Sequence, residues 1–250
     1  MKILALIPAR YASTRFPGKP LAIVNGKPMI QRVYEQACKA FDNVCVATDD
    51  RRIYDAVTGF GGKVVMTSPN HNSGTDRCFE ALRNYSQESG ENFDIVVNVQ
   101  GDEPYIQPQQ LKLLEECFSD TSTDIATLVK RVKDKEEFLN PNAPKVVIDN
   151  NSNALYFSRA PIPFARDKEI TDEFVASNSL YRHIGLYGYR SSALERVCAM
   201  EQSFLEKTEK LEQLRWLENG LRIKVAITEF ETYAVDTQED LDFINSLFLE

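Results

Sequence analysis

A loop near the start of the chain concentrates positive charge in a way that suits a phosphate ligand. Arg10, Arg15 and Lys19 lie within residues 7–20, and no acidic residue precedes Glu35. Pro8, Pro17, Gly18 and Pro20 in this loop restrict its backbone to turns and extended segments. Guanidinium forks, an ammonium group and backbone N–H groups are the groups that bind a polyphosphate. The pattern favours a triphosphate site, with a solvated surface loop as the alternative.

Two aspartates stand where a divalent cation on such a phosphate would need them. Asp102 follows the run 95–99, which is β-branched except for Asn98 and typical of a buried parallel strand, and Asp236 precedes a predicted helix. Mg²⁺ is commonly held by one or two carboxylates together with water and phosphate oxygens. A turn aspartate is the alternative for Asp102, and a helix-capping role is the alternative for Asp236. Taken with the basic loop, the two carboxylates favour a magnesium site.

The motifs of several other enzyme classes are absent from the sequence. It contains neither a P-loop nor a glycine-rich dinucleotide fingerprint after the first apolar run. It also lacks the HExxH motif of metalloproteases, the GxSxG nucleophile elbow and the kinase signature set. Hydrolase, kinase and dehydrogenase functions are therefore disfavoured.

Size and composition are those of a soluble globular enzyme. The 250 residues suffice for one large domain, and 43% hydrophobic with 26% charged residues is an ordinary balance. A net charge of −8 argues against a general nucleic-acid surface but leaves room for a local basic pocket. The five cysteines contain no CxxC pair, so we expect packed thiols. Because we find no signal peptide or long apolar run, we expect a cytoplasmic protein.

Alternating apolar runs and amphipathic segments must position the loop and the aspartates. In the first half, strands are predicted at 3–7, 44–47, 63–66 and 95–99, with helices at 28–41, 51–60 and 73–85. Strands that alternate with helices of about ten to fifteen residues indicate an α/β fold with a doubly wound, mostly parallel sheet. Ligands of such sheets bind at the carboxyl ends of the strands, where the basic loop and Asp102 are expected.

The second half is richer in strands. Strands are predicted at 125–132, 145–149, 154–158, 183–189 and 223–227, and helices at 208–219 and 237–248. Fewer helices between the strands indicate a smaller β-rich part. We expect residues 166–178 to form the most mobile loop and Trp216 to be a packing residue.

Seven motifs, in order along nearly the whole chain, resemble those of the 3-deoxy-manno-octulosonate (Kdo) cytidylyltransferases, within the sugar nucleotidyltransferases. They are IPARYASTRFPGKPL at 7–21, SGTDR at 73–77, QGDEP at 100–104, SRAPIPFAR at 158–166, HIGLY at 183–187, EKLEQLR at 209–215 and VDTQEDL at 235–241. The first motif alone indicates only the wider group. The motifs at 158–166 and 209–215 favour the Kdo branch over the CMP-sialic acid synthetases.

The resemblance implies a Rossmann-like nucleotidyltransferase fold with a β-rich extension for sugar binding and dimerisation. In a single domain, the nucleotide-binding core would take about residues 1–125 and 205–250, and the extension about 126–204. The implied reaction joins CMP from CTP to Kdo and releases pyrophosphate, with Mg²⁺, for lipopolysaccharide synthesis. The implied assembly is a homodimer with no nucleic-acid or membrane partner.

The resemblance also implies roles for individual residues. Catalysis is expected from Arg10, Arg15, Lys19, Asp102 and Asp236, with Mg²⁺ held by Asp102 and Asp236. Contacts to the nucleotide are expected from Ala9, Arg10, Ser13, Lys19, Ser73, Arg77 and Gln100. Contacts to the sugar are expected from Arg15, Gln100, Arg166, His183, Tyr187, Glu212 and Gln213. Arg159 is left out of the site, as a candidate for a structural ion pair.

Two other functions stay open. The first is cytidylyl transfer to another acidic sugar, such as 8-amino-Kdo or sialic acid. The second is a non-catalytic sensor of nucleotide sugars. Both Asp102 and Asp236 are present, which disfavours the sensor, because a sensor has no need of a catalytic metal.

Overall fold

Strands and helices alternate along most of the chain. The computed structural model describes residues 1–12, 15–71 and 73–247. The strands, β1 to β11 in chain order, are Ile3–Ala9, Ile23–Val24, Lys27–Pro28, Val44–Thr48, Val64–Met66, Ile95–Asn98, Ile125–Arg131, Lys145–Ile148, Ala154–Ser158, Tyr181–Arg190 and Ile223–Ile227. The helices, α1 to α10, are Met29–Cys38, Arg51–Gly59, Gly74–Ser89, Pro108–Cys117, Lys135–Leu139, Asp172–Ser177, Ser191–Cys198, Phe204–Glu209, Gln213–Glu218 and Gln238–Leu247.

These elements belong to two compact units. The first comprises Met1–Lys112, Arg190–Cys198 and Glu231–Glu250, and the second comprises Leu113–Tyr189 and Ala199–Phe230. Residues 205–230 thus fall in the second unit. The functional division into a nucleotide-binding core and a sugar-binding part stays a prediction. No helix among the described residues is both long and apolar enough to cross a membrane.

The first unit is built on a parallel sheet. Strand β1 pairs in parallel with β4 and β6, and β4 pairs in parallel with β5. Residues Leu4–Ile7 of β1 are fully buried, as are Val46 and Val96 of its two neighbours. Strands buried on both faces are expected to be continuous apolar runs, which is why the sequence shows no alternation here. The parallel arrangement puts the exits of β1 and β6 at one edge, and the basic loop and Asp102 follow those exits.

Side-chain caps define several helix starts in the first unit. Ser73 Oγ accepts a hydrogen bond from the backbone N–H of Asp76 at 3.1 Å, which begins α3 as predicted. Thr237 Oγ1 accepts from the N–H of Asp240 at 3.2 Å, while Asp240 accepts from the N–H of Thr237, forming a reciprocal cap. Pro28 was predicted as a first helical residue, but it lies in β3 and α1 begins at Met29.

The second unit contains a mixed sheet. Strand β7 pairs in parallel with β11 and antiparallel with β10, while β8 pairs antiparallel with both β9 and β10. The largest fully buried side chains of this unit include Trp216, Tyr189, Phe138 and Phe157. The aromatic core explains why the unit holds together around short helices.

The single helix predicted at 208–219 is wrong. The segment forms two short helices, α8 and α9, separated by Lys210, whose φ of +55° breaks the helical path. Leu214 and Trp216 on α9 are fully buried, so the turn directs this helix into the core instead of along a solvated surface. Propensity and charge alone favoured one exposed helix, and burial of these apolar residues overrides that preference.

Other elements were not predicted. The short hairpin of β2 and β3 and helices α4, α5, α6 and α7 are additions to the sequence-based assignment. The segment 166–178, expected to be a mobile loop, contains α6, which is capped by Thr171 and anchored by buried Val175. Among the cysteines, Cys45, Cys78 and Cys117 are packed as expected, whereas Cys38 is exposed.

Candidate functional site

A cavity of about 240 Å³ opens in the first unit, where β1 and β6 end. It is lined by Pro8, Ala9, Arg10, Arg15, Lys19, Pro20, Gln100, Gly101, Asp102 and Asp236. Seven of the predicted site residues are therefore brought together by three loops that are distant in sequence. Ser13, another predicted contact, lies outside the described residues.

Lys19 lies at the centre of the charges in this cavity. Its Nζ is 2.8 Å from Asp102 Oδ2 and 3.1 Å from Asp236 Oδ1. Arg15 lies 3.3 Å from the other oxygen of Asp236. The side chain of Lys19 is only 16% exposed, so its ion pairs are less screened by solvent than those of a surface lysine. The two carboxylates thus already share one cation.

Backbone features fix the loops that carry these side chains. A Cβ at Gly101 would lie 2.8 Å from the carbonyl oxygen of Pro8, so only glycine lets the two loops approach this closely. The N–H of Val235 donates to the carbonyl of Asp102 at 2.9 Å, which ties the segments of both aspartates together. Asp240 accepts from the N–H of Asp236 at 2.9 Å, and this hydrogen bond is the main cause of the lowered pKa of Asp240.

The carboxylates of Asp102 and Asp236 fit a magnesium ion. Both offer hard oxygen ligands, and both point at one shared cation, the ammonium of Lys19. No group of three or more His, Cys, Asp or Glu side chains within the described ranges is arranged to hold a metal by itself. A site of two carboxylates completed by water and phosphate is the arrangement that Mg²⁺ commonly takes.

Two predicted nucleotide contacts lie in a different environment. Ser73 uses its hydroxyl to cap α3 and also donates to Asp76 Oδ2 at 2.9 Å. Arg77 is 4% exposed, and its guanidinium donates to Asp49 Oδ2 at 2.9 Å and to Thr67 Oγ1. These contacts give both residues a structural function in this structure, and their contact with a nucleotide stays a prediction.

A second cluster of predicted residues lies in the second unit. The rings of His183 and Tyr187, both on β10, are in contact, with centroids 5.3 Å apart. The ring of Trp216 meets Tyr187 edge-on at 5.0 Å, and Phe157 meets His183 in the same way at 5.1 Å. His183 Nε2 is 2.9 Å from Thr127 Oγ1. The sequence-based grouping of His183 with Tyr187 therefore corresponds to a real contact.

Burial sets the protonation of this cluster. It lowers the pKa of His183 to about 3, with a smaller effect from the charge of Arg182, so the imidazole is neutral near pH 7. Burial and the nearby charge of Glu212 raise the pKa of Tyr187 well above its usual value. The two side chains therefore present neutral hydrogen-bonding groups, which suit the hydroxyls of a sugar.

Helix α9 and its N-cap contribute Glu212 and Gln213. Glu212 Oε1 accepts from Arg215 at 2.8 Å. Gln213 is 4% exposed, and its Nε2 has no hydrogen-bond partner among the described residues. The predicted sugar contact Arg166 differs from these residues, since its side chain is 88% exposed and its ion-pair partner is the adjacent Asp167 at 3.4 Å.

Sequence reasoning missed some members of the cluster. Thr127 lies fully buried within β7, where a hydroxyl in an otherwise apolar run was the available signal. Trp216 was predicted to be a packing residue, and it is fully buried as expected. Its contact with Tyr187 could not be anticipated, because it depends on the break between α8 and α9.

The partly buried imidazole of His183 predicts a pH-dependent stability. Its pKa of about 3 in the folded chain is below that of an unfolded histidine, so only the unfolded chain takes up a proton as the pH falls below about 6.5. As the pH falls from 7 to 5, His183 should therefore lower the free energy of unfolding by about 2 kcal/mol. Urea unfolding of His183→Gln should show a decline smaller by that amount.

The control for this measurement is His71→Gln, which changes the only other histidine of the chain. It should retain the loss of stability that His183 causes. If His183→Gln declined between pH 7 and pH 5 as steeply as the wild type, the folded chain would have to protonate His183, and the neutral cluster would be wrong.

The chain is similar to known proteins over nearly its whole length. A sequence model described as cytidylyltransferase matches residues 4–223. The chain is 57% identical over 246 residues to the 3-deoxy-manno-octulosonate cytidylyltransferase of Parabacteroides distasonis, covering 97% of this chain and 96% of the relative. It is 56% identical over 244 residues to the protein of the same name from Bacteroides thetaiotaomicron, covering 96% of each.

A solved structure is similar over nearly the full length. It is that of a CMP:2-keto-3-deoxy-manno-octonic acid synthetase complexed with CTP, with a TM-score of 0.89 and 39% sequence identity. The match covers 99% of this chain and 98% of that chain. This similarity confirms the predicted α/β fold with a mostly parallel sheet.

Proposed function

This chain belongs to the cytidylyltransferase family, and from that membership we propose that it transfers CMP from CTP to Kdo with release of pyrophosphate. The membership confirms the resemblance carried by the seven sequence motifs. The observation that supports the proposal most directly is near-full-length identity of 57% to a 3-deoxy-manno-octulosonate cytidylyltransferase. The shared cation of Asp102 and Asp236 beside a basic loop supplies the matching chemistry.

In the proposed reaction, the anomeric hydroxyl of Kdo attacks the α-phosphorus of CTP. A new oxygen–phosphorus bond forms, the bond from the α-phosphorus to the bridging oxygen breaks, and the hydroxyl proton is lost. Negative charge grows on the phosphoryl oxygens and on the departing pyrophosphate, so catalysis depends on cations placed at those oxygens. No nucleophile from the chain is needed.

The basic loop supplies the cations of the chain itself. Arg10, Arg15 and Lys19 line the same cavity, and each carries N–H groups that can donate to phosphate oxygens. Arginine can bind phosphate oxygens with two parallel hydrogen bonds, whereas lysine acts as a mobile point charge. Lys19 can exchange the carboxylates for phosphate oxygens once another cation neutralises Asp102 and Asp236. The loop thereby binds and orients the triphosphate.

We propose that Asp102 and Asp236 hold Mg²⁺. When bound, the ion would neutralise phosphate charge and polarise the oxygens of the reacting phosphoryl group. Asp240 and the N–H of Val235 hold the backbone of the two carboxylates in place. We also expect the chain to act in the cytoplasm, where CTP is made, and to form a homodimer.

On the sugar side, we propose that the buried cluster of the second unit contacts the hydroxyls of Kdo. Neutral His183 and protonated Tyr187 can donate or accept hydrogen bonds without placing a charge beside the sugar. The Nε2 group of Gln213 is a buried donor that a sugar oxygen would satisfy. Arg15, Gln100 and Arg166 remain the proposed contacts to the rest of this acidic substrate.

Pyrophosphate release from CTP tests the proposed function. With Mg²⁺ present, we expect release with Kdo and no release without a sugar or with excess EDTA. Sialic acid and 8-amino-Kdo should be poorer substrates, measured as kcat/KM. Release with one of these acids in preference to Kdo would keep the reaction and replace the substrate. Silence with all three sugars would instead support a sensor that binds the nucleotide without turnover.

A further inference from the structure

Hydrogen bonds join the end of strand β9 to the break between α8 and α9 at Lys210. The carboxylate of Glu209 accepts from Ser158 Oγ at 2.7 Å and from the N–H of Arg159 at 2.9 Å. The guanidinium of Arg159 donates back to the carbonyls of Glu209 at 2.7 Å and Lys210 at 3.3 Å, and to Pro141 at 2.9 Å. Side chain and backbone of the break are therefore both fixed to β9.

The break itself determines where α9 begins. Lys210 adopts the left-handed conformation, and its N–H donates to the carbonyl of Glu206 at 2.7 Å. Arg215 on α9 lies 3.5 Å from Glu206 on α8 and 2.8 Å from Glu212. The left-handed conformation is strained for a lysine. The contacts on both sides of the break must therefore offset this conformational cost.

The same strand also touches the other half of the sugar cluster. Phe157 immediately precedes Ser158, and its ring meets His183 at 5.1 Å. Glu212 and Gln213 follow Glu209 by three and four residues. Strand β9 therefore positions His183 through a ring contact, and it positions the start of α9 through the hydrogen bonds to Glu209.

We propose that Glu209 is a positioning residue for sugar binding, which holds Glu212 and Gln213 in register with His183 and Tyr187. It does not touch the sugar in this inference and acts through the break at Lys210. The inference rests on the proposed function for its substrate. A purely structural carboxylate would stabilise the fold without favouring one substrate over the other.

The test is the effect of Glu209→Ala on the two KM values. Small displacements of binding groups weaken the binding of the substrate that they contact, so KM for Kdo should rise about tenfold or more. KM for CTP should stay within about twofold, because the basic loop belongs to the first unit. Glu209→Gln should restore a near-normal KM for Kdo, since its amide can accept from Arg159 N–H and donate to Ser158 Oγ.

A matched control comes from Glu137, another carboxylate of the second unit, which has one ion pair and one hydrogen bond. It lies 2.7 Å from Arg182 Nε and accepts from the N–H of Lys133 at 2.9 Å. Glu137→Ala should lower the thermal unfolding midpoint as Glu209→Ala does but leave the ratio of the two KM values unchanged. Equal rises of both KM values in Glu209→Ala, or the same selective rise in Glu137→Ala, would overturn the inference.

A second readout does not depend on turnover. Trp216 is the only tryptophan of the chain, and it lies on α9 within the cluster. In the protein without substrates, Glu209→Ala should make the emission of Trp216 more accessible to acrylamide, whereas Glu137→Ala and Glu209→Gln should not. An unchanged emission in a folded Glu209→Ala variant would also overturn the inference.

If the wild type does not use Kdo, the proposed function fails, while this fluorescence comparison still tests the role of Glu209. If Glu209→Ala fails to fold, Ser158→Ala removes one of the two bonds and takes its place.

Discussion

Asp102→Asn is expected to lower kcat for pyrophosphate release by about a thousandfold, the range seen when one stabilising group at a reacting oxygen is removed. The change is isosteric and removes one of the two negative charges that bind the cation between Asp102 and Asp236. The side chain is 28% exposed and contributes little to the core, so the fold should persist. Steady-state kinetics and a thermal unfolding curve of the same preparation measure the two effects.

The control for this variant is Asp42→Asn, the same chemical change at an exposed position of the first unit. It should have wild-type kinetics. A second measurement, calorimetric titration of Mg²⁺ into the protein with CTP, should show weaker metal binding in Asp102→Asn only. Wild-type turnover in a folded Asp102→Asn variant would remove this residue from the proposed metal site and leave the turn interpretation of Asp102 in its place.

The position of Asp102 shows which parts of the site could be predicted from sequence. Apart from Asn98, the run 95–99 is apolar because its strand is buried on both faces, and a parallel strand must leave the sheet at its carboxyl edge. Local sequence therefore locates both the strand and the exposed residues after it. The same reasoning located the basic loop after β1. Here burial, periodicity and topology point to one answer.

The cluster of the second unit was less accessible, because its contacts join residues far apart in the chain. Thr127 and His183 are 56 residues apart, and Ser158 and Glu209 are 51 apart. Nothing local to residues 208–219 predicts the left-handed Lys210, which is held by hydrogen bonds with Arg159, just after β9, and with Glu206 of α8. Tertiary burial of Trp216 overrides the helical preference of this segment.

Helix α6 is a different case, since its signal was present in the sequence. Thr171 followed by Asp172 and Glu173 is a typical helix start, and Thr171 Oγ1 accepts from the N–H of Phe174 at 3.1 Å. Surrounding polar and charged residues suggested a loop. A short helix needs only one buried residue, here Val175, to be held against its unit.

Lys19→Met should lower kcat by about a hundredfold to a thousandfold, because it removes a cation expected at the phosphate oxygens while keeping an unbranched side chain. It also leaves Asp102 and Asp236 without the ammonium that they share, so KM for CTP should rise as well. Lys39→Met, at an exposed position after α1, is the matched control and should be neutral. Unchanged CTP kinetics in Lys19→Met would contradict the role of the basic loop.

The double variant Asp102→Asn with Lys19→Met tests whether the two side chains act as one charged centre. The two side chains are 2.8 Å apart and act on the same charges, so their effects on kcat should not add. We expect the double variant to lose about as much activity as the more damaged single variant. Additive losses in log kcat would mean that Asp102 and Lys19 stabilise the transition state independently of each other. A single charged centre requires the non-additive result, since either loss already removes the arrangement that stabilises the departing pyrophosphate.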